Sequence, residues 1–225
     1  MPADRPARAE HSPSVRCRAS AAALLLKHSL DRVAAAVALL LALLPMLWIA
    51  WRIRRDSPGP ALFLQRRAGR DGRSFDLYKF RTMRTDTDPY GESPQSGEDP
   101  RVTPFGRWLR ETSLDELPQL LNVLRGEMSL VGPRPLYMQQ MAEWDARQRG
   151  RLLVKPGLTG LAQVSGRGGL TIEQKLEYDV QYVERLSAGL DLWILWRTLR
   201  SVLSRSDIYE RRYSETRARR SDDPE

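Results

Sequence analysis

The chain has 225 residues, of which 41% are apolar and 28% charged, so it can build a folded core and is not disordered throughout. Its formal net charge of +8 suits an anionic membrane surface, a polyanionic small substrate or nucleic acid, and charge alone does not choose among them. Its only cysteine, Cys17, and its only histidines, His11 and His28, precede the main apolar segment, which excludes His-based or Cys-based catalysis from the body of the protein.

The N-terminal part of the chain is dominated by an apolar run from Val33 to Trp51. A helix over this run spans about 30 Å at roughly 1.5 Å per residue, which barely crosses a bilayer core. Pro45 lies inside the run, where it removes a helix hydrogen bond and introduces a kink. Basic residues flank both ends of the run: Lys27, Arg32, Arg52, Arg54 and Arg55.

Positive flanks favour the cytoplasmic side of a membrane, and here both flanks are positive. The pattern therefore predicts a re-entrant helix over residues 27–55 that bends at Pro45 and returns to the same leaflet. Trp48 and Trp51 would lie at the headgroup level as anchors. A single membrane-spanning helix and a secretory signal are the alternatives. Residues 1–26, rich in Arg, Ala, Pro and Ser, predict a basic, disordered arm.

The body of the protein opens with a hairpin signal. Residues 61–67 and 74–82 are β-prone and flank Gly69–Gly72, where Asp-Gly favours a tight turn. The polar stretch over residues 84–104 is long for a connection, and such loops are functional lids or disordered. Residues 105–124 then predict helix with breaks.

The C-terminal half predicts helices separated by rigid or flexible loops. Its segments are a proline loop at 131–135, a helix at 136–153, a Gly-rich loop at 155–169, a helical pattern at 172–203 and a charged, flexible tail at 204–225. Within the helical pattern, apolar residues at three- and four-residue steps form a face around Trp193 and Trp196. That face is either core or a membrane-surface contact.

These elements together predict an α+β protein. A mainly helical cytoplasmic domain with a β-hairpin occupies residues 56–203. A kinked re-entrant membrane helix and interfacial amphipathic helices anchor it.

The densest group of polar residues surrounds Asp115 and Glu116. Ser113 and Glu116 match a capping box, and Asp115 suits a first helical turn, so both acids could be structural. Pro118 weakens that interpretation because it perturbs the helix that the cap would support. Without histidine, an Asp can attack phosphorus, provided that Mg²⁺ and arginines offset the repulsion between carboxylate and diphosphate.

Several basic residues could bind the phosphates. The prolines on both sides of Arg134 bias its backbone toward an extended form that can hold a guanidinium against phosphate. Arg167 lies in a Gly-rich segment that permits close backbone approach to a ligand. Lys79 and Arg81 could reach an anion from the hairpin. A surface turn, a plain loop and a solvated strand face are the respective structural alternatives. The full candidate set is Lys79, Arg81, Arg110, Arg134 and Arg167.

Four segments resemble the bacterial sugar transferases. These are the monotopic phosphoglycosyl transferases that start exopolysaccharide, O-antigen (lipopolysaccharide), capsule or glycoprotein glycan assembly. The segments are Tyr78–Met83, Thr112–Leu120, Asn122–Pro135 and Lys155–Gly160. The resemblance covers residues 27–203, and several long motifs in the right order make it specific.

The resemblance implies that a sugar-1-phosphate moves from a UDP-sugar to undecaprenyl phosphate, with release of UMP. Asp115 would be the nucleophile that forms a covalent phosphosugar intermediate. Glu116 would support Asp115 and, together with it, hold Mg²⁺. Arg110, Arg134 and Arg167 match family positions associated with phosphate or nucleotide contacts.

The resemblance also concerns the membrane helix. Pro45 matches the proline at which the family's re-entrant helix bends, although Leu44 stands where many members carry a serine. The implied location is the bacterial cytoplasmic (inner) membrane, with the catalytic domain facing the cytoplasm and membrane lipids around the anchor.

Two other functions compete with this interpretation. A catalytically silent membrane scaffold would not need the intact Asp115-Glu116 pair. A membrane-tethered nucleic-acid-binding protein would show a basic stripe with aromatics or a helix-turn-helix, and neither is evident, so no nucleic-acid partner is expected. The sequence leaves open the sugar, the nucleotide base, the glycan pathway and the oligomeric state, a homodimer included.

Overall fold

The computed structural model describes residues 15–88, 94, 98–166 and 169–204. Its helices are α1 (Ala21–Asp56), α2 (Pro104–Glu111), α3 (Gln119–Arg125), α4 (Leu161–Ser165), α5 (Ile172–Arg185) and α6 (Ala188–Ser204). Its strands are β1 (Leu62–Ala68), β2 (Ser74–Phe80), β3 (Ser129–Val131) and β4 (Gly157–Thr159). Short 3₁₀ turns occupy Arg70–Gly72, Leu114–Glu116, Gln139–Glu143 and Gln148–Leu153. The predicted mixture of helices with a small amount of sheet is confirmed.

The predicted hairpin is confirmed as β1 and β2, which pair antiparallel with Gln65 opposite Leu77. At its tip Asp71 adopts a left-handed backbone with φ of 57°, a conformation that Asp tolerates better than most residues. β3 and β4 form a separate parallel pair. The N–H of Gly132 donates to the carbonyl of Thr159 at 2.9 Å, which extends this ladder into the loop that carries Arg134.

The membrane-helix candidate α1 begins earlier than predicted. It starts at Ala21 rather than residue 27, because the Ser20 side chain accepts a hydrogen bond from the N–H of Ala23 and caps the helix. Residues 15–20 are described as well, and Val15 packs against a core cluster. The predicted arm boundary at residue 26 stays a prediction. Residues 1–14 and 205–225, which include the rest of the arm and the tail, lie outside the described residues.

Both halves of α1 pack against the body of the protein, whereas its middle is exposed among the residues that the structure describes. Ala35 packs against β2 and α3, and Ile49 and Ile53 pack against β2 and α2. Between them Leu40 and Leu44 are 74% and 76% exposed. By length and composition α1 could cross a membrane. The bend at Pro45, which lies inside α1, and the path through a bilayer stay predictions.

The helix predicted over residues 136–153 is wrong. The structure has two 3₁₀ turns there, separated by Trp144 in an extended conformation. The Asp145 side chain accepts a hydrogen bond from the N–H of Gln148 at 2.7 Å and starts a new turn. Gly150 then packs against Val15, where a Cβ atom would come within 2.6 Å of that side chain.

Two other regions differ in detail from the prediction. The predicted Gly-rich loop at 155–169 contains β4 and α4, because β3 supplies a pairing partner. The helical pattern at 172–203 is two helices, α5 and α6, with Leu186 leaving the helical conformation between them. The break lets α6 fold back toward α4 and β3, where Ile194 is fully buried.

Candidate active site

The candidate acids lie on the Leu114–Glu116 turn between α2 and α3. Ser113 precedes the turn in a left-handed conformation with φ of 58°, and its side chain makes no capping hydrogen bond. The alternative that Ser113 and Glu116 form a capping box is therefore wrong. Leu114 and Leu117 pack against the cluster that contains Ile49 of α1. The acids thus sit on an irregular turn that is anchored directly to the membrane-helix candidate.

Glu116 is held by two of the predicted basic residues. The Lys79 Nζ atom lies 2.8 Å from Glu116 Oε1, and each side chain is 20% exposed. Arg134 Nη2 lies 3.4 Å from the same oxygen. Burial opposes ionisation of Glu116, but Lys79 and then Arg134 outweigh it, so its pKa falls below the usual range. Glu116 is a carboxylate at all physiological pH values, with Oε1 neutralised by two cations.

Asp115 has the opposite electrostatic character. Its pKa is raised above the usual range, because burial disfavours the charged form and because Glu116 lies beside it. Lys79, Arg110 and Arg134 oppose this rise. Environments that push the pKa values of two adjacent acids in opposite directions are typical of sites where the acids have different roles. Asp115 is the more basic carboxylate of the two, which suits a nucleophile.

Arg110 reaches the site from the last turn of α2. Its Nε atom donates to Thr82 Oγ1 at 2.9 Å, and this contact fixes the guanidinium near Asp115. α2 approaches closely here because Gly106 packs on the Thr82 backbone, where a Cβ atom would come within 2.1 Å of the carbonyl oxygen. Lys79, Arg110 and Arg134 therefore converge on the two acids from three different elements.

Arg81 points elsewhere. It is 6% exposed, and its guanidinium donates to the carbonyl oxygens of Ser57 and Pro58 at the turn that follows α1. The geometry favours a structural role in holding that turn over a contact with substrate. Arg167 lies outside the described residues, so its predicted phosphate contact stays a prediction.

Sequence reasoning missed Asn122, which holds β2 in place. Asn122 is fully buried, and its side chain accepts from the N–H of Tyr78 at 3.1 Å and donates to the carbonyl of Asp76 at 2.8 Å. It also donates to Glu127 at 2.7 Å. These bonds fix the strand residue just before Lys79. The signal available in the sequence was an Asn among the apolar residues of α3.

The residues present fit a divalent cation only in part. No group of three or more His, Cys, Asp or Glu side chains is found among the described residues. Mg²⁺ is commonly bound by one or two carboxylates together with substrate phosphates and water. Asp115 and the Oε2 atom of Glu116 meet that requirement, because Lys79 and Arg134 both bind Oε1.

Comparison with known proteins identifies the family of the chain. The chain is 47% identical over 198 residues to a UDP-glucose:undecaprenyl-phosphate glucose-1-phosphate transferase of Caulobacter vibrioides, covering 82% of this chain and 72% of the relative. It is 43% identical over 187 residues to an uncharacterized sugar transferase, EpsL, of Bacillus subtilis, covering 83% of this chain and 92% of the relative.

A third relative is longer. A galactosyl transferase, CpsE, of Streptococcus agalactiae is 41% identical over 192 residues, covering 80% of this chain but 42% of the relative, so the chain spans less than half of that protein. The bacterial sugar transferase family model matches residues 22–205, which include α1 and the whole candidate site. The chain belongs to the bacterial sugar transferase family.

Proposed function

We propose that this protein is a phosphoglycosyl transferase that moves a sugar-1-phosphate from a UDP-sugar to undecaprenyl phosphate and releases UMP. The observation that carries the proposal is the arrangement around Asp115. A carboxylate of raised pKa lies beside a second, fully ionised carboxylate, and three cations from β2, α2 and the proline loop face them. Relatives named for this reaction support the choice of substrates.

In the first step, a carboxylate oxygen of Asp115 attacks the β-phosphorus of the UDP-sugar. The bond between that phosphorus and the oxygen bridging to the α-phosphate breaks, and UMP leaves with the electron pair. The sugar phosphate is then held on Asp115 as a mixed anhydride. Arg110 and Arg134 offset the negative charge that accumulates on the phosphate oxygens.

In the second step, a phosphate oxygen of undecaprenyl phosphate attacks the same phosphorus. The bond to Asp115 breaks, which regenerates the carboxylate and releases undecaprenyl diphosphate-sugar. Mg²⁺, when bound, would supply charge neutralisation at the diphosphate. Glu116 stays negatively charged and is paired with Lys79 and Arg134. It would hold these two cations beside Asp115, where the substrate phosphates bind.

The membrane arrangement suits a lipid acceptor. Both halves of α1 contact the catalytic domain, which supports a re-entrant path with the apolar middle in the bilayer. Trp48 of α1 contacts Trp108 of α2 edge-on, with ring centroids 6.4 Å apart, beside the turn that carries Asp115. The exposed apolar side chains of α6, among them Trp193 and Trp196, would lie on the membrane surface. The polar head of the lipid could then reach Asp115 without leaving the bilayer.

This arrangement and the positive charge on both sides of the apolar run support an inner-membrane location with the domain in the cytoplasm. The reaction would be the first membrane step of exopolysaccharide, O-antigen, capsule or glycoprotein glycan synthesis.

The test is UMP release by the purified protein in nanodiscs with Mg²⁺ and a panel of UDP-sugars, with and without undecaprenyl phosphate. We expect Asp115→Asn to abolish turnover, because the amide is a poor nucleophile. The matched control is Asp71→Asn on the exposed hairpin tip, which should turn over like the unmodified protein. Undiminished turnover in Asp115→Asn would remove Asp115 as the nucleophile, and no release from any donor would favour the scaffold alternative.

A further inference from the structure

The loop that carries Arg134 is held through its backbone carbonyl groups. Residues 133–135 read Pro-Arg-Pro, so the N–H of Arg134 is the only backbone donor among them. The carbonyl of Pro133 accepts from the N–H of Gly157 at 2.9 Å, and the carbonyl of Pro135 accepts from Arg67 at 3.3 Å. The two backbone groups of Arg134 remain.

A buried ion pair binds the carbonyl group of Arg134. The carbonyl oxygen of Arg134 accepts a hydrogen bond from Arg151 Nη2. Arg151 Nη2 and Asp179 Oδ2 are 2.6 Å apart, and each side chain is 3% exposed. Asp179 thus orients Arg151, and Arg151 holds the backbone of Arg134 at its carbonyl.

Stability alone does not account for this pair. Two charges removed from water lose hydration that their mutual attraction repays poorly, and apolar replacements of similar size are often as stable. The Arg151 Nε atom is buried and has no hydrogen-bond partner, which adds to the cost. Burial also raises the pKa of Asp179 to about 6, which shows how strongly the interior disfavours its charge.

A firmly held backbone would be important at Arg134, because the side chain of this residue reaches the candidate site. Its guanidinium lies 3.4 Å from Glu116, is 35% exposed and influences Asp115 as well. An arginine that contacts both the carboxylates and the incoming diphosphate must be placed accurately, since a misplacement of about 1 Å can cost about 100-fold in rate. A contact to its backbone carbonyl can position this residue without engaging the guanidinium.

We propose that Arg151 and Asp179 are positioning residues for the transfer reaction, which hold the backbone of Arg134 so that its guanidinium faces Glu116 and the substrate phosphates. The kinetic part of this inference rests on the proposed function. The structural part does not, because it concerns only the backbone of Arg134.

The kinetic test uses the full-length protein in nanodiscs and the variant Arg151→Met with Asp179→Leu, which replaces both charges together. We expect a thermal midpoint close to that of the unmodified protein and a loss of about 100-fold in kcat/KM. In an Arg134→Ala background, assayed with radiolabelled donor, the same two substitutions should cause no further loss. A further loss there, or a loss that parallels a lowered midpoint, would overturn the proposal.

Two comparisons sharpen the result. Asp179→Asn keeps an oxygen that can accept from Arg151, and it should retain more activity than Asp179→Leu. Arg147→Met is the matched control, because Arg147 also pairs with α5, through Glu177 at 2.8 Å, but does not contact Arg134. Its kcat/KM should be unchanged.

Amide hydrogen exchange tests how firmly the ion pair holds this loop, without any need for turnover. The N–H of Gly157 donates to the carbonyl of Pro133, so its exchange reports on the loop. Slow exchange at Gly157 in the unmodified protein, and faster exchange in the Arg151→Met, Asp179→Leu variant, would support the proposal. Equal exchange in both would overturn it. If the unmodified protein released UMP from no donor, the proposed function would fail while this measurement still decided the role of the ion pair.

Discussion

Replacing Lys79 with methionine removes the cation closest to Glu116 while keeping an unbranched side chain of similar length. Lys79 lies 2.8 Å from Glu116 Oε1, and both side chains are largely shielded from water at 20% exposure. A hydrogen bond to a charged group in such a place contributes about 1.5–3 kcal/mol. One pKa unit corresponds to about 1.4 kcal/mol, so the pKa of Glu116 should rise by about one to two units.

Asp115 should respond in the same direction. Lys79 is the largest influence holding down the pKa of Asp115, which burial already raises above its usual range. Without Lys79, a smaller fraction of Asp115 is ionised near neutral pH, and the nucleophile is weakened. If the rise matches that of Glu116, we expect the acid limb of kcat/KM to move to higher pH, a loss of about 2- to 10-fold near pH 7, and recovery at higher pH.

The assay measures UMP release in nanodiscs between about pH 5 and pH 9. This range includes both the acid limb and the alkaline limb of the kcat/KM profile. Arg66→Met is the control, because Arg66 lies on the same hairpin in an exposed pair with Asp76 and should leave the profile unchanged. A loss of equal size at every pH would refute the electrostatic reasoning and assign Lys79 to direct substrate binding.

Three other substitutions test the supporting contacts. Arg81→Met should lower the free energy of unfolding by about 1–3 kcal/mol, because it removes the donors to Ser57 and Pro58, yet leave kcat/KM of the folded protein nearly unchanged; thermal unfolding and kinetics together decide this. Asn122→Ala should cost about 2–3 kcal/mol and also lower activity, since β2 loses its fixation beside Lys79; loss of stability alone would contradict that link. Gly106→Ala should lower the thermal midpoint by several degrees and slow turnover, since a Cβ atom 2.1 Å from the Thr82 carbonyl pushes α2 and Arg110 away.

Local patterns were enough to predict the hairpin and the interrupted helices around the acids. Alternating β-prone residues and an Asp-Gly turn specify β1 and β2 through neighbours in sequence. Pro118 likewise marks the break before α3. The predicted helix over residues 136–153 failed because the hydrogen bond that Asp145 accepts from the N–H of Gln148 and the packing of Gly150 on distant Val15 override helix propensity.

The sequence predicted the residues at the centre of the candidate site but not the residues that hold them in place. Sequence motifs were enough to predict Lys79, Arg110 and Arg134 as site residues. The structure brings all three to the acids. Arg81 occupies the same strand run as Lys79, but only the folded chain shows that its guanidinium holds the turn after α1. Arg151 and Asp179 meet across 28 residues of sequence, a separation that no local pattern reports.

The central claim is that Asp115 carries the phosphosugar. The most direct measurement incubates the protein with a radiolabelled UDP-sugar and Mg²⁺ in the absence of undecaprenyl phosphate, and maps any covalent label by mass spectrometry. We expect one label on Asp115, accompanied by a single equivalent of UMP, discharged when undecaprenyl phosphate is added and absent from Asp115→Asn. UMP release that requires the lipid from the outset, with no label on Asp115, would show that the sugar phosphate passes directly from donor to acceptor.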